Sequence, residues 1–174
     1  MWAGRGSVES PHRLIVPAVG RISPDYLCMD GTIPRRELPQ VLNGLAKLSE
    51  KYGLRVANVF HAGDGNLHPL ILYDANNPHE LDKAERFGAD ILRLCVKHGG
   101  VLTGEHGVGV EKRDLMPEMF TPVDLAQQQR VKCAFDIGGL LNPGKVFPTL
   151  HRCAELGRMH VHRGEVAFPG IPRF

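Results

Sequence analysis

Gly63-Asp64-Gly65 stands between two runs rich in β-branched and aromatic residues, Leu54 to His61 and Asn66 to Tyr73. An Asp-Gly pair between such runs is the strongest short-range signal of a β-hairpin. It predicts a two-residue type I′ turn at Asp64-Gly65. Counting outward from that turn sets Gly63 opposite Asn66 and His61 opposite His68. Residues directly opposite share a face, with Cβ atoms ~5 Å apart. Two imidazoles at that separation can share one metal ion. Pro69 then falls at a non-hydrogen-bonded site of the hairpin, where a missing N–H costs the ladder nothing. The plainer alternative is two unrelated histidines beside a turn.

The segments around the hairpin set the fold class. Tyr26 to Ile33 reads as a strand. From Pro39 onward Leu38, Val41, Leu42, Leu45 and Leu48 recur at helical spacing, and Gly53 lies just past the end. Asn77-Pro78-His79-Glu80 has the form of a capping box, followed by Leu81, Ala84, Gly88, Ile91, Leu92 and Cys95 on one helical face and then Gly99-Gly100. Val101 to Thr103 is a short strand. The order strand, helix, strand, strand, helix, strand is a split βαβ pattern. It predicts an α+β, ferredoxin-like βαββαβ domain, an antiparallel sheet with its helices on one face. A further helix opens at Thr121-Pro122 and runs to about Phe135, and Asn142-Pro143-Gly144-Lys145 is a turn. Three regions are expected: an irregular segment over 1–24, the domain over 25–147, and an extended tail over 148–174.

Composition removes several classes of function. The formal net charge is +2, without the basic excess that nucleic-acid binding requires. No apolar stretch approaches the ~20 residues that span a bilayer, and the N-terminus lacks the apolar core of a secretory signal. Cys28, Cys95, Cys133 and Cys153 form no CxxC pair, which suits reduced thiols. A soluble, cytoplasmic protein is expected.

A further ligand is available in Gly104-Glu105-His106-Gly107-Val108-Gly109. Glycines here permit left-handed backbone and close approach to a ligand. Glu105 could complete a His₂Glu set that leaves a coordination position open to substrate. His106, next in the chain, has the chemistry of a base near neutral pH. The alternative is a solvated loop whose glutamate caps the segment near Val110, and without the hairpin that alternative is preferred. Gly63-Asp64-Gly65-Asn66-Leu67-His68 is no dinucleotide fingerprint, because the third glycine is missing and a strand follows. No serine or cysteine has the setting of a hydrolase nucleophile.

Three stretches, His61 to Pro69, Gly104 to Gly107 and Leu141 to Lys145, resemble the signature segments of the FAD-linked oxidase C-terminal family. That family includes D-lactate, D-2-hydroxyglutarate and glycolate dehydrogenases. Asp30 to Pro39 and Thr149 to Glu155 are similar to its glycolate-oxidising members. The resemblance implies that His61, His68 and Glu105 bind a divalent metal, zinc foremost, and that His106 takes the substrate hydroxyl proton. It implies that Asn142 and Gly144 approach the flavin of FAD, and that Arg5 clamps the carboxylate of a small 2-hydroxy acid. It also implies that a separate FAD-binding domain holds most of the cofactor. Sister subunits of a glycolate oxidase complex are the expected partners, through which a cytoplasmic chain could lie peripheral to the inner membrane.

Two other readings remain open on the residues alone. A two-His-one-carboxylate set also serves non-haem iron oxygenases. A chain of this kind without its flavin domain could also act only in assembly or binding.

Overall fold

A computed structural model describes residues 17–148. The chain divides into two compact units, Met1–Gly100 and Val101–Phe174.

The first unit holds an antiparallel sheet and two helices. Strands β1 (Asp25–Cys28) and β2 (Gly31–Thr32) lie along one edge of β4 (Asn66–Tyr73), and β3 (Val56–His61) lies along the other. Numbering the predicted strands in order, the arrangement is first, third, second, as in a ferredoxin-like sheet. β4 is the central strand, and all of it but Tyr73 is buried. That is why Leu67 to Tyr73 reads as an almost unbroken apolar run.

The expected strand over Tyr26 to Ile33 is interrupted at Met29-Asp30, and Pro69 is the cause. Cys28 pairs with Leu70 and Gly31 with Leu67, so the register is unchanged across the break. It sets Met29 opposite Pro69. Met29 N donates to Pro69 O at 3.1 Å, but proline has no N–H with which to return the bond. The Met29 carbonyl instead accepts from Cys28 Sγ at 3.6 Å. Toward β3, Pro69 costs the ladder nothing, as expected. Its cost falls on the opposite edge.

Helix α1 (Leu38–Tyr52) ends at Gly53, whose left-handed φ of 64° closes it. Helix α2 (Pro78–Lys97) starts at Asn77, whose side chain accepts from His79 N. The expected reciprocal box is altered: the Glu80 carboxylate accepts from Asp74 N and from Asn77 Nδ2. The helices meet where Tyr52 stacks on Phe87, ring centroids 5.2 Å apart. Val41, Leu45, Phe87, Ile91 and Cys95 form the core with Leu67 and Ile71 of β4. Gly31 is required under α2, since a Cβ there would stand 2.7 Å from Cys95 Sγ. The opposite sheet face carries Leu70, Leu72, Cys28, Ala57 and Val59, covered at one end by Val19 from helical residues 17–20.

In the second unit the expected strand over Val101 to Thr103 is reduced to one bridge residue, Val101. The glycines that follow carry the chain into a loop instead. A 3-10 turn (Arg113–Leu115) leads into the short helix α3 (Met116–Met119). Helix α4 (Pro122–Phe135) begins with a full capping box between Thr121 and Asp124, at the boundary the sequence predicts. Cys28 is half-buried and Cys95 buried. Cys133 is disulfide-bonded, where its isolation in sequence predicts a reduced thiol.

Candidate active site

The hairpin turn is longer than the Asp-Gly pair predicts. His61 pairs with Asn66 and Val59 with His68, so four residues, 62–65, form the loop. The His61 carbonyl accepts from Asp64 N at 3.0 Å and from Gly65 N at 3.1 Å. A type I′ turn needs positive φ at two consecutive residues. Only Gly65 adopts it, at 75°. His61 and His68 are therefore diagonal neighbours and not directly opposite.

The longer turn keeps both rings on one face. His61 shares a face with Asn66, and Asn66 with His68, because alternate residues along a strand point the same way. The two ring centroids lie 5.4 Å apart with their planes at 90°. His68 is buried at 4% exposure, whereas His61 is open to solvent. One buried and one accessible imidazole suit a ligand that enters from outside. Asn66 lies between them in the same row, its Oδ1 3.5 Å from Thr32 Oγ1.

On the other flank of His68 stands Asp30. The register that sets Met29 opposite Pro69 sets Asp30 opposite His68. Asp30 Oδ1 lies 3.9 Å from His68 Nε2, and its side chain is fully buried. The sequence pattern reads Asp30 as part of the strand over Tyr26 to Ile33 and carries no sign of a partner at His68.

Within the second unit, Glu105 and His106 sit at the tip of a loop that Thr103 closes by accepting from Gly107 N at 2.8 Å. Gly107 and Gly109 adopt φ of 82° and 56°, the conformations for which glycine is needed. Both side chains are about half exposed, with His106 Nε2 3.9 Å from Glu105 Oε1.

The Asn142–Lys145 turn belongs to this same loop system. Arg113 Nη1 donates to Gly144 O at 2.7 Å, and Val146 N donates to Gly109 O at 2.9 Å. These bonds hold a left-handed segment, with φ of 48° at Asn142, 73° at Gly144 and 73° at Val146. Such a conformation is strained for a β-branched valine. Asp136 anchors the approach to the turn, accepting from Leu140 N and Leu141 N at 2.9 Å each and from Lys132 Nζ. Burial raises the pKa of this carboxyl, but the bonds from Lys132, Leu140 and Leu141 outweigh it and hold the pKa below the ordinary value. Beside the turn a cleft of about 350 Å³ is lined by Val131, Phe135, Leu141, Asn142 and Phe147 among others. Phe135 (84% exposed) and Leu141 leave it a markedly apolar rim.

Of the residues expected from the sequence, His61 and His68 share one sheet face, and Glu105, His106, Asn142 and Gly144 lie in the loops of the second unit. Asp30, Arg113 and Asp136, which the sequence pattern does not mark, stand beside His68 and the Asn142–Lys145 turn. Arg5 lies outside the described residues.

The family defined by the C-terminal domain of FAD-linked oxidases matches residues 1–146. The glycolate oxidase subunit GlcD of Escherichia coli (strain K12) is 60% identical over 173 residues, which is 99% of this chain and 33% of that protein. GlcD of Bacillus subtilis (strain 168) is 34% identical over 81% of this chain and 30% of its own length. A D-lactate dehydrogenase of Archaeoglobus fulgidus is 34% identical over 68% of this chain and 26% of its own. The chain spans about a third or less of these relatives.

Proposed function

The chain belongs to the family of FAD-linked oxidase C-terminal domains, and from that premise we propose that it supplies the substrate and metal side of an FAD-dependent 2-hydroxyacid dehydrogenase. Glycolate, oxidised to glyoxylate, is the preferred substrate, because a glycolate oxidase subunit is 60% identical over 99% of this chain. The observation that carries this reading is the diagonal pair of His61 and His68 on one sheet face, rings 5.4 Å apart.

That pair fits a divalent metal, since neutral imidazoles and one carboxylate are the donor set of catalytic zinc. His61 and His68 would hold the ion, with Glu105 as the third donor. When bound, the metal supplies Lewis-acid polarisation of the hydroxy acid and FAD supplies the oxidant that accepts its α-hydrogen as hydride. His106 takes the hydroxyl proton. Its half-exposed place at the loop tip leaves it a route to return that proton to solvent. Arg5 binds the substrate carboxylate, a task suited to its planar fork. Asn142 and Gly144 present the Arg113-braced turn to the flavin. The exposed apolar rim at Phe135 and Leu141 is the kind of surface that packs on a further domain.

Residues 25–147 form the metal and substrate domain in this reading, and the tail after 147 contacts sister subunits of a glycolate oxidase complex. No described helix is long and apolar enough to cross a membrane. The chain works in the cytoplasm, with any membrane association passing through partner subunits.

The test adds an FAD-binding fragment to the metal-loaded chain. Glycolate-dependent reduction of the flavin, lost on chelation and restored by zinc, is the expected outcome. A folded, metal-loaded chain that binds the fragment and leaves its flavin oxidised in the presence of glycolate, D-lactate and D-2-hydroxyglutarate would contradict it.

A further inference from the structure

Three polar side chains form a row across one face of the sheet: Asp30 at the β1–β2 break, His68 on β4 and His61 on β3. Asp30 has no exposed surface and His68 has 4%. A carboxylate withdrawn from water is costly unless a cation or donor faces it. Here His68 Nε2 faces it, 3.9 Å from Oδ1. That separation is longer than a hydrogen bond and short enough for electrostatic contact. An imidazole that keeps its proton on the nitrogen nearest a carboxylate is held in one tautomer, leaving the other nitrogen as the lone-pair donor. A carboxylate that accepts the outer N–H of a ligating histidine orients the ring and raises its basicity toward a metal, and closing the gap between Asp30 Oδ1 and His68 Nε2 by about 1 Å brings the pair into that relation.

We infer that Asp30 is a positioning residue which fixes the His68 ring so that Nδ1 is its metal-binding atom. The inference rests on the metal reading of His61 and His68 proposed above. It accounts for a buried carboxylate at the one point where Pro69 breaks the edge strand. The break gives Asp30 its place behind His68 without burying its backbone in an unbroken ladder.

The test uses the full chain, stripped of metal and titrated with Zn²⁺ against a chromophoric chelator and with Co²⁺ by visible absorption. Asp30→Asn keeps shape and removes charge. It should weaken Zn²⁺ binding by about 10–100-fold, the range typical of partners behind a ligand, with the melting temperature of the metal-free protein retained. Unchanged affinity in Asp30→Asn, together with loss in His61→Ala and His68→Ala, overturns the assignment of Asp30 alone. A wild-type chain that binds neither ion overturns the metal reading and this inference with it. Should Asp30→Asn fail to fold, ring ¹⁵N–¹H correlations of the Zn²⁺-loaded wild type decide the matter. A proton on His68 Nε2 and metal on Nδ1 is the expected pattern. Metal on Nε2 overturns it.

Discussion

His61 and His68 stand diagonally across the β3–β4 hairpin, 5.4 Å between ring centroids, because the turn between them takes four residues and not two. The two substitutions at this pair should therefore differ. His61→Ala removes an exposed ring, so metal binding should fall more than 100-fold, beyond the roughly 10–100-fold of an outer-shell change, with little change in melting temperature. His68→Ala empties a buried site and should lower both. Isothermal titration with Zn²⁺ and thermal melts of the same samples read the two effects separately.

Gly63 and Gly65 flank Asp64 but should respond differently to alanine. At Gly65 the φ of 75° disfavours any side chain, and a Cβ would stand 2.1 Å from the Ile33 carbonyl oxygen. The left-handed conformation alone costs about 1–2 kcal/mol. Gly65 O also accepts from Ile33 N, so movement away from the clash strains that bond as well. At Gly63 a Cβ meets nothing within 4 Å. Chemical denaturation should show Gly65→Ala destabilised by at least 1–2 kcal/mol and Gly63→Ala within about 0.5 kcal/mol of wild type.

Acid should weaken both units. For Asp90, burial raises the pKa, but hydrogen bonds from Lys51, Tyr52 and Arg93 outweigh it and leave the pKa below the ordinary value of 3.8. Asp136 is lowered in the same sense by Lys132, Leu140 and Leu141. A carboxyl whose folded pKa is depressed contributes stability that is complete above its unfolded pKa and is lost as pH falls through the folded one. Stability should thus be flat in these terms above about pH 5 and decline below about pH 4. Asp136→Asn should flatten part of that decline in denaturant titrations at pH 3 to 6.

Arg113→Ala should loosen the Asn142–Lys145 turn without unfolding the chain, because it removes the bond to Gly144 O and leaves the Val146–Gly109 bond in place. A hydrogen bond from a charged donor contributes about 1.5–3 kcal/mol. Faster amide exchange confined to residues near the turn is the expected result. Uniform acceleration throughout the chain would contradict it.

The fold was largely legible because its signals are local. Helix α1 announces itself by Leu spacing and the Gly53 stop, and α4 by the Thr121-Pro122 start. The failures come from contacts that sequence patterns do not carry. The break at Met29-Asp30 depends on a proline forty residues later in the chain, whose absent N–H matters only through pairing with Met29. The hairpin register turned on whether Asp64 or only Gly65 would take positive φ, a choice that Asp-Gly permits either way. The face shared by His61 and His68 survived the error, since a shift of the turn by two residues preserves alternation. Asp30, Arg113 and Asp136 act through partners distant in sequence or through backbone atoms, so residue type alone could not mark them.

The most direct test of the central claim is flavin reduction by glycolate in a mixture of this chain and an FAD-binding fragment, comparing wild type with His106→Ala. Wild type should restore reduction and His106→Ala should lose at least about 100-fold of the rate, the lower range for removal of a general base, while Zn²⁺ affinity stays within a few-fold. Reduction by His106→Ala at the wild-type rate would contradict that claim.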